Sequence, residues 1–402
     1  MTHRERVLTA LDHKEPDRVP IDFGAMRSTG IMALAYNKLK RHLGISSSTR
    51  VYDLMQQLAE PDLQVLEYFD ADVVQVHRLC PSFGLRIDRW KEYRLADGFP
   101  VVVPEGFDPI KLPDGSEEIR EGGRTIGRRP AAAPYFDRVN FPLAEAKSIE
   151  DIDRFQFGSM TDEELTFIRR QAEHWRATDY AILAAFGGNI LEGGQFTFGW
   201  DRFMTLLALE RDMVERFLDR LVESYLRDLD RFLPTVEGLV DIIQVGDDLG
   251  TQQGLQISPQ MYREVIKPRQ ARIYGHIKKH STARLFLHSC GSIVEILDDL
   301  IEIGVDILNP VQTSARGMDP VELKRRFGSR LVFWGGGCDT QRVLPRGSIE
   351  DVKRDVRDRI RIFAPGGGFV FTQIHNIQAD IPPEKIVALY KTALEAGRYP
   401  IR

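Results

Sequence analysis

A short β-branched run, a polar or glycine-bearing exit and then a helical pattern recur along this chain, and that repeat limits the possible folds more than any other feature. Eight such runs are present: Arg18–Phe23, Ala71–Val76, Tyr180–Phe186, Asp241–Val245, Arg284–Leu287, Val305–Leu308, Leu331–Trp334 and Gly368–Thr372. Each is apolar on both faces, as a strand buried in a parallel sheet must be. Strands alternating with helices pair in parallel through right-handed crossovers. Eight units favour a closed (β/α)8 TIM barrel with N-terminal helices over an open doubly wound sheet. A dinucleotide-binding sheet gains no support. Asp22-Phe-Gly-Ala25, after the first run, has one glycine where the fingerprint needs three, and no Walker A sequence occurs.

The helices carry start and stop signals. Ser292-Ile-Val-Glu295 has capping-box spacing, with Ile293, Ile296, Leu297, Leu300 and Ile301 forming one apolar stripe and Gly304 at the expected end. Ser348 with Asp351 predicts another helix start, and Pro382-Pro383 the last helix, ending at Gly397. Long amphipathic patterns span Asp201 to Leu233 and follow Ser258-Pro259. Between the second and third runs the rhythm breaks for about 100 residues. There Arg86–Val103, Ile110–Lys111 and Glu118–Arg129 read as short antiparallel strands, with a hairpin turn at Pro113-Asp-Gly-Ser116. The chain, residues 1–402, therefore reads as one barrel carrying a β-rich insertion over residues 80–140, a lid or a dimerisation arm.

Charge narrows the function classes. Lys and Arg number 54 against 59 Asp and Glu, a net charge of −5 with no basic run, which argues against nucleic-acid and membrane-surface partners. Met1 to His13 is charged throughout, unlike a signal peptide. No apolar run approaches the roughly 20 residues of a membrane span. The expectation is a cytoplasmic protein. Three cysteines build no disulfide framework, so their value lies in their positions.

In an α/β barrel the chemistry sits where the strands end. The second run exits into His77-Arg78, the third into Gly187-Gly-Asn189 and the fourth into Gly246-Asp-Asp248. The fifth exits into His288-Ser-Cys-Gly291, the sixth into Asn309-Pro-Val-Gln312, the seventh into Gly335-Gly-Gly-Cys-Asp339 and the eighth into His375-Asn376. His288 and Cys290, two apart on extended chain, point to one side. Imidazole and thiolate suit zinc, and Cys338 from a nearby strand end offers a second thiolate. Three protein ligands leave an open position, where an exogenous thiol would lose its proton and become a nucleophile for S-alkylation. Asp247 is the candidate acid/base, joined by His77, and Asn189, Asp248, Gln312 and His375 are candidates for a polar substrate-binding ring. Cys80 reads as a small buried hydrophobe. His276 and His280 have ligand spacing, but Ile277 stands where a zinc protease has glutamate, and Lys278 and Lys279 mark a solvated helix end.

Several segments together resemble the uroporphyrinogen decarboxylase superfamily. They are Arg4-Glu-Arg-Val-Leu-Thr-Ala-Leu11, Glu15-Pro-Asp-Arg-Val-Pro-Ile21, Asp241-Ile-Ile-Gln-Val-Gly-Asp247, Phe286-Leu-His-Ser-Cys-Gly291, Trp334-Gly-Gly-Gly-Cys-Asp-Thr-Gln341 and His375-Asn-Ile-Gln-Ala-Asp-Ile-Pro-Pro383. The chain is similar to the branch containing cobalamin (corrinoid)-dependent methyltransferases. Decarboxylases of this superfamily carry an arginine-rich motif that grips porphyrin carboxylates, whereas Phe23-Gly-Ala-Met-Arg27 has one arginine. Where they place a catalytic aspartate, this chain has His77-Arg78-Leu79.

The resemblance implies methyl transfer between a corrinoid and a small substrate, either a thiol acceptor or an aryl methyl ether or methylamine donor. It also implies zinc held by His288 and Cys290. The third ligand is Cys338 on chemical grounds or His375 by position on the last strand. No Asp-x-His-x-x-Gly corrinoid ligand occurs, so a separate corrinoid-binding protein is the expected partner. Relatives often pair, which implies a homodimer. The alternative is a porphyrin decarboxylase or a lyase using Asp247.

Overall fold

The computed structural model describes residues 1–95 and 98–401. Seven parallel strands form one sheet in chain order: β1 (Val73–Val76), β2 (Ala181–Gly187), β3 (Ile242–Gly246), β4 (Arg284–His288), β5 (Ile307–Asn309), β6 (Val332–Trp334) and β7 (Phe369–Val370). Each pairs with the next in parallel. The segment expected as the first strand, Arg18–Phe23, closes the ring. Ile21 bridges Phe371 in parallel, Asp22 N donates to Phe371 O at 2.9 Å, and Asp72 N donates to Ile21 O at 2.8 Å. It forms no regular ladder for two reasons. Pro20 has no N–H to give, and the Ile21 N–H is taken by the Asp72 carboxylate at 2.6 Å. The result is the expected TIM-type barrel, with seven regular strands and a bridged eighth stave.

The two-faced apolar runs divide as their period demands. Val73, Ala181, Leu183, Ile242, Phe286, Ile307, Val332, Trp334 and Val370 pack inside the ring, and Val7 and Leu11 of the helix His3–Leu11 close its floor. Their neighbours, such as Ile182, Ile243, Leu285 and Phe333, join a second cluster under the outer helices. That cluster runs from Val19 to Ala393 and takes in Val101, Ile119 and Phe136 of the insertion. At the floor, buried Asp72 accepts from Arg6, Arg18 and His3 as well as from Ile21 N. Burying that carboxylate is affordable only because every lone pair finds a donor.

The capping box at Ser348 forms as expected on the helix Ile349–Phe363. The one at Ser292 does not: its Oγ donates to Arg316 O at 2.6 Å, and a 3-10 turn precedes the helix Leu297–Glu302. Gly304 follows that helix at φ 104°, which a side chain would strain. The pattern from Asp201 to Leu233 is two helices, Trp200–Leu209 and Arg211–Val236.

Within the insertion, the strand expected over Arg86–Val103 is a hairpin, Trp90–Arg94 against Pro100–Pro104, and Ala96 and Asp97 of that stretch lie outside the described residues. A four-stranded antiparallel sheet follows: Ile110–Lys111, Glu117–Glu121, Arg124–Arg129 and Asp137–Arg138. It is latched to the barrel mouth. Phe136 N donates to Met55 O at 2.8 Å, and Tyr135 Oη bonds Asn376 Oδ1 at 3.0 Å. Among the described residues, no helix is long and apolar enough to cross a membrane.

Candidate functional site

The C-terminal ends of the strands open into a cavity of about 490 Å³, within the range of small-molecule sites. β4 delivers His288 to its wall and the loop beyond delivers Cys290, with Sγ 3.6 Å from His288 Nε2. Asp248, two residues past the end of β3, stands with Oδ1 3.6 Å from the same Nε2. One ligand atom from each of the three lies within 4.8 Å of the others, and all three residues are half-buried.

The loops hold this arrangement by backbone contact. Asp248 Oδ1 accepts from Cys290 N at 2.7 Å, and Gln312 Oε1 accepts from Gly291 N at 2.7 Å. Gly291, at φ 89°, lets the two loops touch: a Cβ there would stand 2.4 Å from the Gly250 carbonyl carbon. The geometry fits zinc. In a tetrahedral site with Zn–N of about 2.1 Å and Zn–S of about 2.3 Å, nitrogen and sulfur stand about 3.6 Å apart.

The imidazole is oriented from behind. Asn309, at the end of β5, donates through Nδ2 to Trp334 O at 2.9 Å. A carbonyl can only accept, so Asn309 Oδ1 must be the atom 2.8 Å from His288 Nδ1, and Nδ1 must carry the hydrogen. Nε2 is thereby left with its lone pair toward Cys290 and Asp248, the tautomer a metal requires. Ser28 Oγ donates to the same Oδ1 at 2.6 Å.

Burial, with the charges of Asp248 and Glu192, pushes the Cys290 thiol well up. A divalent cation reverses that balance and holds the sulfur as thiolate.

Two expected residues lie elsewhere. Cys338, expected as a thiolate ligand, is fully buried under the outer helices and is absent from the ligand group. Its Sγ contacts Asp339 O at 4.0 Å, and burial together with nearby Asp355 pushes the thiol well up. Gly335 and Gly336, at φ 103° and 75°, turn the chain before it and reverse the expected facing.

Asp247, expected as the acid/base, is fully buried and off the cavity wall. Its carboxylate accepts from the backbone N–H groups of Ile190, Leu191 and Glu192 at 2.9–3.1 Å and from Gln270 Nε2 at 3.0 Å. It therefore caps the helix Leu191–Phe198 from a neighbouring strand end. Burial and the charge of Glu192 push it up to about 7, opposed by those donors.

The remaining expected residues surround the cavity. Asn189 and His375 line it, and Gln312 lines the adjoining recess beside Cys290. Burial holds His375 down to about 4, a neutral imidazole that stands outside the ligand group. His77 is buried against the Tyr52 ring at 4.4 Å, and burial lowers its pKa.

Glu192 is the residue the sequence reading missed. Its Oε2 accepts from Asn189 Nδ2 at 2.6 Å and from Asp248 N at 2.9 Å. Burial and the charge of Asp248 raise its pKa. Asn189-x-x-Glu192 is a helix-start spacing, and it was the available signal.

Residues 126–396 match the family described as Uroporphyrinogen decarboxylase (URO-D). A uroporphyrinogen decarboxylase from Magnetococcus marinus is 26% identical over 113 residues, which span 28% of this chain and 29% of that relative's length. Among solved structures, a methyltransferase from Methanosarcina mazei superposes with a TM-score of 0.59 at 16% identity, covering 98% of this chain and 99% of that one. That likeness is one of fold.

Proposed function

The chain belongs to the uroporphyrinogen decarboxylase family, and from that premise we propose that it is a zinc-assisted methyltransferase, moving a methyl group between a corrinoid on a separate protein and a small substrate. The observation that carries this reading is the meeting of His288 Nε2, Cys290 Sγ and Asp248 Oδ1 where the cavity joins its adjoining recess, with the His288 tautomer fixed by Asn309. Zinc held by those three atoms supplies Lewis acidity to a thiol sulfur or an ether or hydroxyl oxygen.

The chain's own groups do the rest. Asn309 keeps Nε2 aimed, and Gln312 and the Gly250–Gly291 contact keep the Cys290 loop against the Asp248 loop. Glu192, its proton affinity raised by burial, takes the proton released as a thiol or hydroxyl ionises. The Methanosarcina mazei protein that shares this fold is described as a methyltransferase.

Porphyrin decarboxylation fits the cavity less well. Binding many carboxylates needs many free cations. Of the three arginines lining the cavity, Arg27 is tied to Asp53 and Arg78 to Glu164.

The test is metal analysis of purified, chelator-free protein together with methyl exchange with free cobalamin. The reading expects about one zinc per chain, loss of zinc and of methyl transfer in Cys290→Ala, and no turnover of uroporphyrinogen. Protein without a transition metal, or Cys290→Ala with full zinc, overturns it.

A further inference from the structure

The third arginine on the cavity wall is Arg138, delivered by the last strand of the insertion. Its guanidinium stands 5.6 Å from the centroid of the Phe196 ring. Among the described residues, no carboxylate or carbonyl bonds it, and no acidic group appears among the influences on its charge. The charge nearest in effect is that of Arg27, a second cation on the same wall. Asp53 answers Arg27, so Arg138, solvent-exposed at the cavity mouth, is left without a counter-ion. The opposite imbalance holds at the strand ends, where Glu192 and Asp248 face the cavity beside His288. The rings of Tyr52, Phe186 and Phe196 line the same cavity.

We propose that the substrate of this cavity is a small ring-bearing anion, a carboxylate in the simplest case, whose charged group is gripped by Arg138 while its methyl-bearing or methyl-accepting heteroatom reaches the His288–Cys290–Asp248 end. A guanidinium presents parallel N–H donors that match a carboxylate's two oxygens, and the attraction of Arg138 to the Phe196 ring leaves those donors free. The aromatic wall takes the flat body of the ligand, and the cavity of about 490 Å³ admits a substituted single ring. The insertion then acts as a specificity element, since it brings Arg138 to the barrel mouth and is latched there by Tyr135 and Phe136. This inference rests on reading the cavity as the substrate site.

The experiment measures binding, so it stays separate from metal content and turnover. Calorimetric titration of the full chain uses 4-methoxybenzoate and its neutral counterpart methoxybenzene, with wild type, Arg138→Gln and Arg138→Lys. The proposal expects the acid to bind at least 10-fold more tightly than the neutral ether. It expects Arg138→Gln to erase that difference, Arg138→Lys to restore part of it, and methoxybenzene to bind all three proteins alike. Equal binding of the two ligands, no binding of the acid, or unchanged binding of the acid by Arg138→Gln overturns it. Zinc content is expected to be the same in all three proteins. Its absence from wild type would count against the methyltransferase reading, and the anion site would still be judged by the titrations.

Discussion

Asn309 Oδ1 lies 2.8 Å from His288 Nδ1, and the Trp334 carbonyl fixes the Asn309 amide that makes this contact possible. A residue that touches no ligand thus decides which ring nitrogen faces the cavity. Replacing it with alanine frees the imidazole to rotate and change tautomer. Asn309→Ala should weaken zinc binding about 10- to 100-fold, the usual scale for losing such a partner. Competition with a calibrated chelator measures it, and an unchanged zinc affinity would mean that the His288 ring is held by something else.

Cys290 and Cys338 should behave as opposites. Cys290→Ala removes a ligand atom 3.6 Å from His288 Nε2 and should empty the site. Cys338→Ala removes a thiol buried under the outer helices, so it should keep its zinc and lose about 1 kcal/mol of stability. Metal analysis and urea unfolding of the two variants read both halves. Zinc loss in Cys338→Ala would return that thiol to the ligand set.

Asp247→Asn is expected to be a stability variant. Three backbone N–H groups and Gln270 Nε2 all donate to the carboxylate, and an asparagine amide would set its own donors against some of them. The expected cost is about 2–4 kcal/mol. The folded fraction should keep its zinc. A well-folded variant with impaired methyl transfer would restore Asp247 as a participant in the chemistry.

The floor of the barrel should respond to pH. The hydrogen bond to Asp72 raises the pKa of His3 above its ordinary value of 6.5, against the opposing effect of burial. A raised histidine stabilises fully below its unfolded pKa, and the contribution disappears as pH climbs through the folded one. His3→Ala should therefore cost about 1–2 kcal/mol near pH 6. The gap from wild type should narrow steadily toward pH 9, as read from urea midpoints across that range. A gap independent of pH would assign His3 a packing role only, through its stacking on Tyr180.

The barrel was legible because two-faced apolar runs are rare outside parallel sheets, and each of the seven later runs overlaps a strand at the expected place. His288 and Cys290 were legible for a related reason: a two-residue step keeps side chains on one face. That reasoning stops at a turn. Gly335 and Gly336 sit between β6 and Cys338 with positive φ, and no alternation survives such a reversal. The adjacent pair Asp247 and Asp248 illustrates the same parity. One faces the cavity and the other faces the helix behind it, and sequence alone did not say which. Glu192 escaped because its partner Asp248 is remote in sequence. Its local helix-start spacing gave no hint that the side chain would meet a second carboxylate. Arg138 escaped because the insertion was read only as a lid or a dimerisation arm, and nothing in its strand pattern said which residue would reach the mouth.

The ring closes between Ile21 and Phe371. During synthesis, a ribosome must therefore release nearly the entire polypeptide before the first stave finds its second neighbour. Until then the Ile21 stave and whichever strand has emerged last are open edges, lined with unpaired amides and carbonyls that would accept strands from other nascent chains. A chain cut short before Phe371 would keep both edges permanently, and its fate would be aggregation or capture by a chaperone rather than a smaller enzyme.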